Sequence, residues 1–101
     1  MAYPGTVATP GFPHRRGPSA VWKEPKFKQD VRRAQAALAN RVRELRNARG
    51  FSQQKVADLA GLHLLTVNNL ERGETNVTLA TLVALGRALE VSLQAFFDAS
   101  P

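Results

Sequence analysis

The chain has 101 residues, enough for one domain, and 44% of them are hydrophobic, enough for a core. It has no cysteine, which excludes disulfides and thiolate metal sites, and no apolar run approaches the ~20 residues of a membrane span. Fourteen Lys and Arg against eight acidic residues give a net charge of +6, a balance that favours an anionic partner.

That charge is concentrated at the start. Residues 1–33 hold seven basic and two acidic residues, hence +5, while residues 34–101 hold seven and six, hence +1. Five of the six prolines (Pro4, Pro10, Pro13, Pro18 and Pro25) and three glycines (Gly5, Gly11 and Gly17) also fall in this region. Such density opposes a long helix and predicts a flexible, basic N-terminal arm over residues 1–29. The arm is either an inert tail or an extension that adds phosphate contacts, with Trp22 and Phe27 as candidates to dock on the domain. MAYPGTVATPGF lacks the charged start and apolar stretch of a secretory signal, so a soluble intracellular protein is expected.

From about Asp30 the pattern becomes helical: Val31, Ala34, Leu38, Val42 and Leu45 recur at three- and four-residue steps. Gly50 is placed to end this first helix. Ser52 is placed to cap a second over Gln53–Ala60, Gly61 interrupts, and a third runs over Leu64–Arg72 to Gly73. Thr78 is placed to cap a fourth over Leu79–Leu89, with Leu79, Leu82, Val83 and Leu89 inward. Ser92 is placed to cap a fifth over Leu93–Phe97. No stretch alternates with period two. The expected fold is all-α, a compact five-helix bundle spanning residues 30–101.

The segment Gln53–Arg72, QQKVADLAGLHLLTVNNLER, carries a specific constellation. Two short helices joined by a tight turn must cross closely. That requires a small residue at the crossing (Ala57) and a residue tolerant of positive φ in the turn (Gly61). It also requires apolar residues where the helices meet, here Val56 and Ala60 against Leu62, Val67 and Leu70. These are the positions of a DNA-binding helix-turn-helix. At 100° per residue, Leu65 points roughly 170° from the core direction of the third helix.

The stretch Arg41–Phe97, with its "SQ" opening the second helix and "LERG" closing the third, resembles the Cro/repressor-type (Xre-like) helix-turn-helix family. The run AGLH…ERGETNVTL is especially similar to controller proteins of restriction-modification systems and to small solitary regulators. The resemblance implies a cytoplasmic, nucleoid-associated transcriptional regulator that binds double-stranded DNA as a homodimer on a palindromic operator. The alternative it leaves open is an antitoxin or other protein-binding module of the same fold, with a toxin as partner.

On this resemblance the third helix enters the major groove and brings Leu64, Leu65, Thr66 and Asn69 near base edges, with Asn68 and Arg72 on the same outer side. Gln53 and Gln54 open the second helix at the DNA backbone, and Gln53 could steady a neighbouring base-reading side chain. His63 is either a poor helix cap or a phosphate contact. In the loop Glu74–Thr78, Asn76 is the expected phosphate contact. Arg46 and Glu71 occupy positions of a buried ion pair.

Leu64 and Leu65 depart from the polar residues common in the family. Leucine cannot make the bidentate hydrogen bonds that identify guanine or adenine, but it can contact the thymine methyl group. Leu64 packs on the domain edge or reads bases; Leu65 reads thymine, or serves a protein interface, or specificity is low. Arg41, Arg43 and Arg49 read as a solvated basic face. Phe96 is assigned to the core, and Phe97 to either a dimer interface or the core. There is no nucleophile–base arrangement, phosphate loop or metal cluster, so no enzyme, cofactor, metal or membrane partner is expected.

Overall fold

A computed structural model of the chain describes residues 17–98. They form five α-helices, α1 (Gly17–Trp22), α2 (Pro25–Ala48), α3 (Gln53–Ala60), α4 (Leu64–Glu71) and α5 (Leu79–Leu89), followed by a 3-10 turn, Leu93–Phe96. No strand occurs among the described residues. The chain divides into two units, Met1–Asp30 and Val31–Pro101.

In the first unit, the expectation of irregular chain fails from residue 17 onward. α1 occupies Gly17–Trp22, and α2 begins at Pro25, five residues before Asp30. Proline stops a helix in its interior but suits the first position, where the missing N–H has no intrahelical partner and φ is already helical. Pro25 sits there, and Lys28 N donates to Glu24 O at 3.0 Å. The rings of Trp22 and Phe27 lie 5.1 Å apart, tilted by 52°. The expectations placed on residues 1–16 lie outside the described residues.

In the second unit, four helices end in the same way. After α2, α3, α4 and α5 the chain passes through a residue in the left-handed region: Gly50, Gly61, Gly73 and Glu90. Each time, the next N–H reaches back to the helix: Phe51 to Arg46 O, Leu62 to Ala57 O, Glu74 to Asn69 O and Val91 to Gly86 O, at 2.9–3.2 Å. These Schellman closures satisfy carbonyls that would otherwise lack partners. At the other ends, Ser52 Oγ accepts from Lys55 N at 3.0 Å, and Thr78 Oγ1 accepts from Thr81 N at 3.1 Å.

The core joins Val42 of α2, Val56 and Ala57 of α3, Val67 and Leu70 of α4, Leu82, Leu85 and Leu89 of α5, and Phe96. Burying each of the larger side chains contributes about 1.5–3 kcal/mol. Three expectations need correction. The stripe of α2 passes through half-buried Gln35, and Ala34 is exposed. In α5 Leu79 and Val83 are exposed, while Leu85 and Ala88 join Leu82 and Leu89 inside. Apolar residues surround α5 on nearly every side, so periodicity alone leaves its phase undetermined. The fifth expected helix is the 3-10 turn, and Ser92 makes no side-chain cap.

Candidate nucleic-acid interface

α3 and α4 are set against each other by small and branched side chains. Val56, Ala57 and Val67 are fully buried, and Leu70 nearly so. Ala57 at the crossing lets the two backbones approach. Gly61 (φ 69°) makes the turn without a Cβ penalty. The outer face of α4 is left free of the core.

Behind that face lies the one charged residue that is buried among the described residues. Glu71 is 2% exposed. Arg46 of α2 grips it with two hydrogen bonds, Nε to Oε2 at 2.6 Å and Nη2 to Oε1 at 2.9 Å, and sends Nη1 to Phe51 O at 2.8 Å. The hydrogen bonds to Glu71 raise the Arg46 pKa above its ordinary value; partial burial opposes this, and the charge of Glu71 adds to it. The guanidinium therefore stays charged, and a two-pronged charged pair of this kind fixes orientation as well as adding energy. Arg43 donates to the backbone carbonyl of Glu71, occupying an acceptor at the end of α4.

The network continues outward. Gln53 Nε2 donates to Glu71 Oε1 at 3.0 Å, and Asn68 Nδ2 donates to Gln53 Oε1 at 3.3 Å. A carboxylate only accepts, so Gln53 must turn its amide nitrogen inward and its oxygen toward Asn68. The first residue of α3 and the outer flank of α4 are thereby held together.

The remaining candidate residues are more separate. Leu65 is 66% exposed, and Leu64 is 43% exposed. Thr66 and Asn69 are half-buried. His63 precedes α4 in extended conformation and makes no side-chain cap. Gln54 is exposed and donates to Asp58 at 2.8 Å. Arg72 lies just past α4 and pairs with Glu74 at 3.0 Å. Asn76 is exposed in the following loop and accepts from Gln35 Nε2 at 2.8 Å.

Three contributors lie outside the sequence expectations. Gln35 is one, and its signal was a polar residue on the inward stripe of α2. Arg41 and Arg43 are the others, read as solvated. Instead, Arg41 Nε donates to Ala95 O at 2.6 Å and Arg43 to Glu71 O. Arginines on a helix flank give no sequence signal of the carbonyl they will meet.

Among the described residues no cluster of His, Cys, Asp and Glu could hold a metal ion, and no helix is long and apolar enough to cross a membrane. Exposed apolar side chains occur away from α4 as well: Leu79 and Val83 lie one turn apart on α5, Val83 and Leu93 line one shallow groove, and Phe97 is 65% exposed.

Comparison with known proteins places this geometry. The helix-turn-helix family model matches residues 42–96. The Control protein C.SmaI of Serratia marcescens is 45% identical over 56 residues, covering 55% of this chain and 67% of that protein. The crystal structure of the restriction-modification controller protein C.AhdI from Aeromonas hydrophila matches with a TM-score of 0.62 and 38% identity, covering 62% of this chain and 96% of that one. An HTH_3 family transcriptional regulator from Vibrio cholerae matches with a TM-score of 0.64 and 36% identity, over 66% of this chain and 38% of that one. The chain belongs to the helix-turn-helix family, a family of DNA-binding transcriptional regulators and not of enzymes.

Proposed function

We propose that this regulator reads one operator by inserting α4 into the major groove of double-stranded DNA, and that it does so as a homodimer. The observation that carries the reading is the outer face of α4. Leu64 and Leu65 are exposed and Asn69 is half-buried on a helix whose other side is locked by Val67, Leu70 and the Arg46–Glu71 pair. A rigid helix with a free face is what groove recognition needs, because base contacts specify only when their register is fixed. Gln54, His63 and Asn76 flank that face as backbone contacts, Gln53 steadies Asn68 beside it, and Thr66, Asn68 and Arg72 extend it.

Two copies joined through the Leu79, Val83 and Phe97 surface would give a twofold assembly, with recognition helices roughly 34 Å apart on a palindromic site. The likeness to controller proteins suggests a cytoplasmic, nucleoid-associated role beside restriction-modification genes. Exposure of Leu65 favours a second reading, an apolar contact with a protein partner such as a toxin.

A titration of the protein with the promoter-proximal DNA of its own gene, against a scrambled duplex at about 0.15 M salt, separates the two. Tight binding to the promoter alone is expected, with a symmetric footprint. Equal, weak binding to both duplexes would remove the operator reading and leave the protein partner.

A further inference from the structure

Gln35 lies on α2 seven residues before the start of the family match, yet it touches the loop that follows α4. Its Nε2 donates to Thr75 O at 3.3 Å and to Asn76 Oδ1 at 2.8 Å. The loop leaves α4 against the same stretch of α2: a Cβ at Gly73 would stand 3.6 Å from Ala36 Cα and from Gln35 O.

The polarity of this contact is not free. A backbone carbonyl only accepts, so Thr75 O requires the nitrogen of Gln35 rather than its oxygen. That nitrogen carries two N–H groups, and the second meets Asn76. Asn76 must therefore present its own oxygen to Gln35, which turns its NH2 group away from α2. The terminal torsion of an exposed Asn is otherwise broad and roughly two-fold, so an unheld side chain offers either end.

We propose that Gln35 is a positioning residue for DNA binding: it turns the carboxamide of Asn76 so that the NH2 group, rather than the oxygen, faces a backbone phosphate. The proposal rests on the reading of Asn76 as a phosphate contact. A phosphate offers only acceptors, so an Asn with its oxygen outward would meet it unfavourably. One backbone contact of the helix-turn-helix, Asn76, is thus oriented from a helix segment that precedes the matched family region.

The test compares wild type, Gln35→Ala, Asn76→Ala and the double variant, in the full chain, on the fluorescently labelled promoter duplex and its scrambled counterpart. Gln35→Ala is expected to weaken binding about fivefold, one hydrogen bond's worth. The loss is expected to be equal on both duplexes, because a phosphate contact carries no sequence information. The slope of affinity against salt is expected to stay unchanged, because an amide releases no counterion. The double variant is expected to bind no more weakly than Asn76→Ala. In the free protein, Gln35→Ala is expected to shift the side-chain amide signals of Asn76 in a 1H–15N spectrum, with the fold retained and the melting temperature lowered only by the cost of the lost loop contacts.

Wild-type affinity in Gln35→Ala, additive losses in the double variant, or an unmoved Asn76 amide would each overturn the proposal. Failure of the wild type to bind either duplex would overturn the DNA-binding reading, and this proposal with it. The two failures are distinct, because only the second appears before any substitution is made.

Discussion

Gln53 Nε2 donates to Glu71 Oε1 at 3.0 Å, so the residue that opens α3 is tied to the carboxylate that closes α4. The same oxygen accepts from Arg46 Nη2 at 2.9 Å. Three helices therefore share one buried carboxylate, and the α3–α4 angle depends on it.

Removing one member of that group exposes the cost of burying the other. Glu71→Ala leaves the Arg46 guanidinium, 14% exposed, without its counter-charge. Breaking a buried pair in this way costs about 3–5 kcal/mol. Urea unfolding is expected to show a loss of that size, read as the fall in midpoint multiplied by an unchanged m value. The pair Arg46→Met with Glu71→Leu is expected to cost less than the two single changes together, because no orphaned charge remains. A Glu71→Ala loss below about 1 kcal/mol would mean that water reaches the guanidinium and that the pair is not structural.

Gly61 is a second fixed point. Its φ is 69°, and a Cβ added there meets nothing within 4 Å. Gly61→Ala therefore isolates the backbone penalty of the left-handed conformation, about 1–2 kcal/mol, from any clash. At roughly 4–8 °C per kcal/mol for a domain of this size, calorimetry resolves the change easily. An unshifted melting temperature would show that the α3–α4 turn relaxes out of the left-handed region.

The sequence carried the helix-turn-helix plainly because each of its requirements falls on a residue type with few alternatives. Ala57 fits the crossing, Gly61 the turn, and Val56, Val67 and Leu70 the facing surfaces, and all behave accordingly. Arg46 and Glu71 were legible through family resemblance and not through any pattern of their own. Two kinds of feature were not legible. The inward face of α5 is not legible because LATLVALGRAL offers apolar residues in most directions, and packing into the shared core selects Leu82, Leu85 and Leu89. The long-range contacts of Gln35, Arg41 and Arg43 span 28 to 54 residues and end mostly on backbone carbonyls, which every residue has.

Val83 and Phe97 are exposed, so changing them leaves the fold of one copy nearly untouched, within about 0.5 kcal/mol. If they join two copies, Val83→Glu and Phe97→Glu place like charges across a twofold axis and shift sedimentation to the monomer. Promoter affinity is expected to fall with dimerisation, because each copy then binds a half-site alone. An oligomeric state that is the same in both variants as in wild type would locate any dimer contact elsewhere.

The sharpest question concerns Leu65. Its side chain is 66% exposed, so Leu65→Ala is expected to alter stability by no more than about 0.5 kcal/mol. Leucine has no hydrogen bond to offer a base, and the C5 methyl group of thymine is the apolar feature of the major groove. Replacing thymines of the promoter duplex one at a time by deoxyuridine removes that methyl group and nothing else. For wild type, one position in each half-site is expected to weaken binding about fourfold, roughly the value of burying a single methyl group. For Leu65→Ala, the same replacement is expected to have no effect, because the partner of the methyl group is already gone. Equal sensitivity of the two proteins at every thymine would show that Leu65 does not read the base. Its exposure on a rigid helix would then point to a protein surface, and the toxin-binding reading would gain what the operator reading lost.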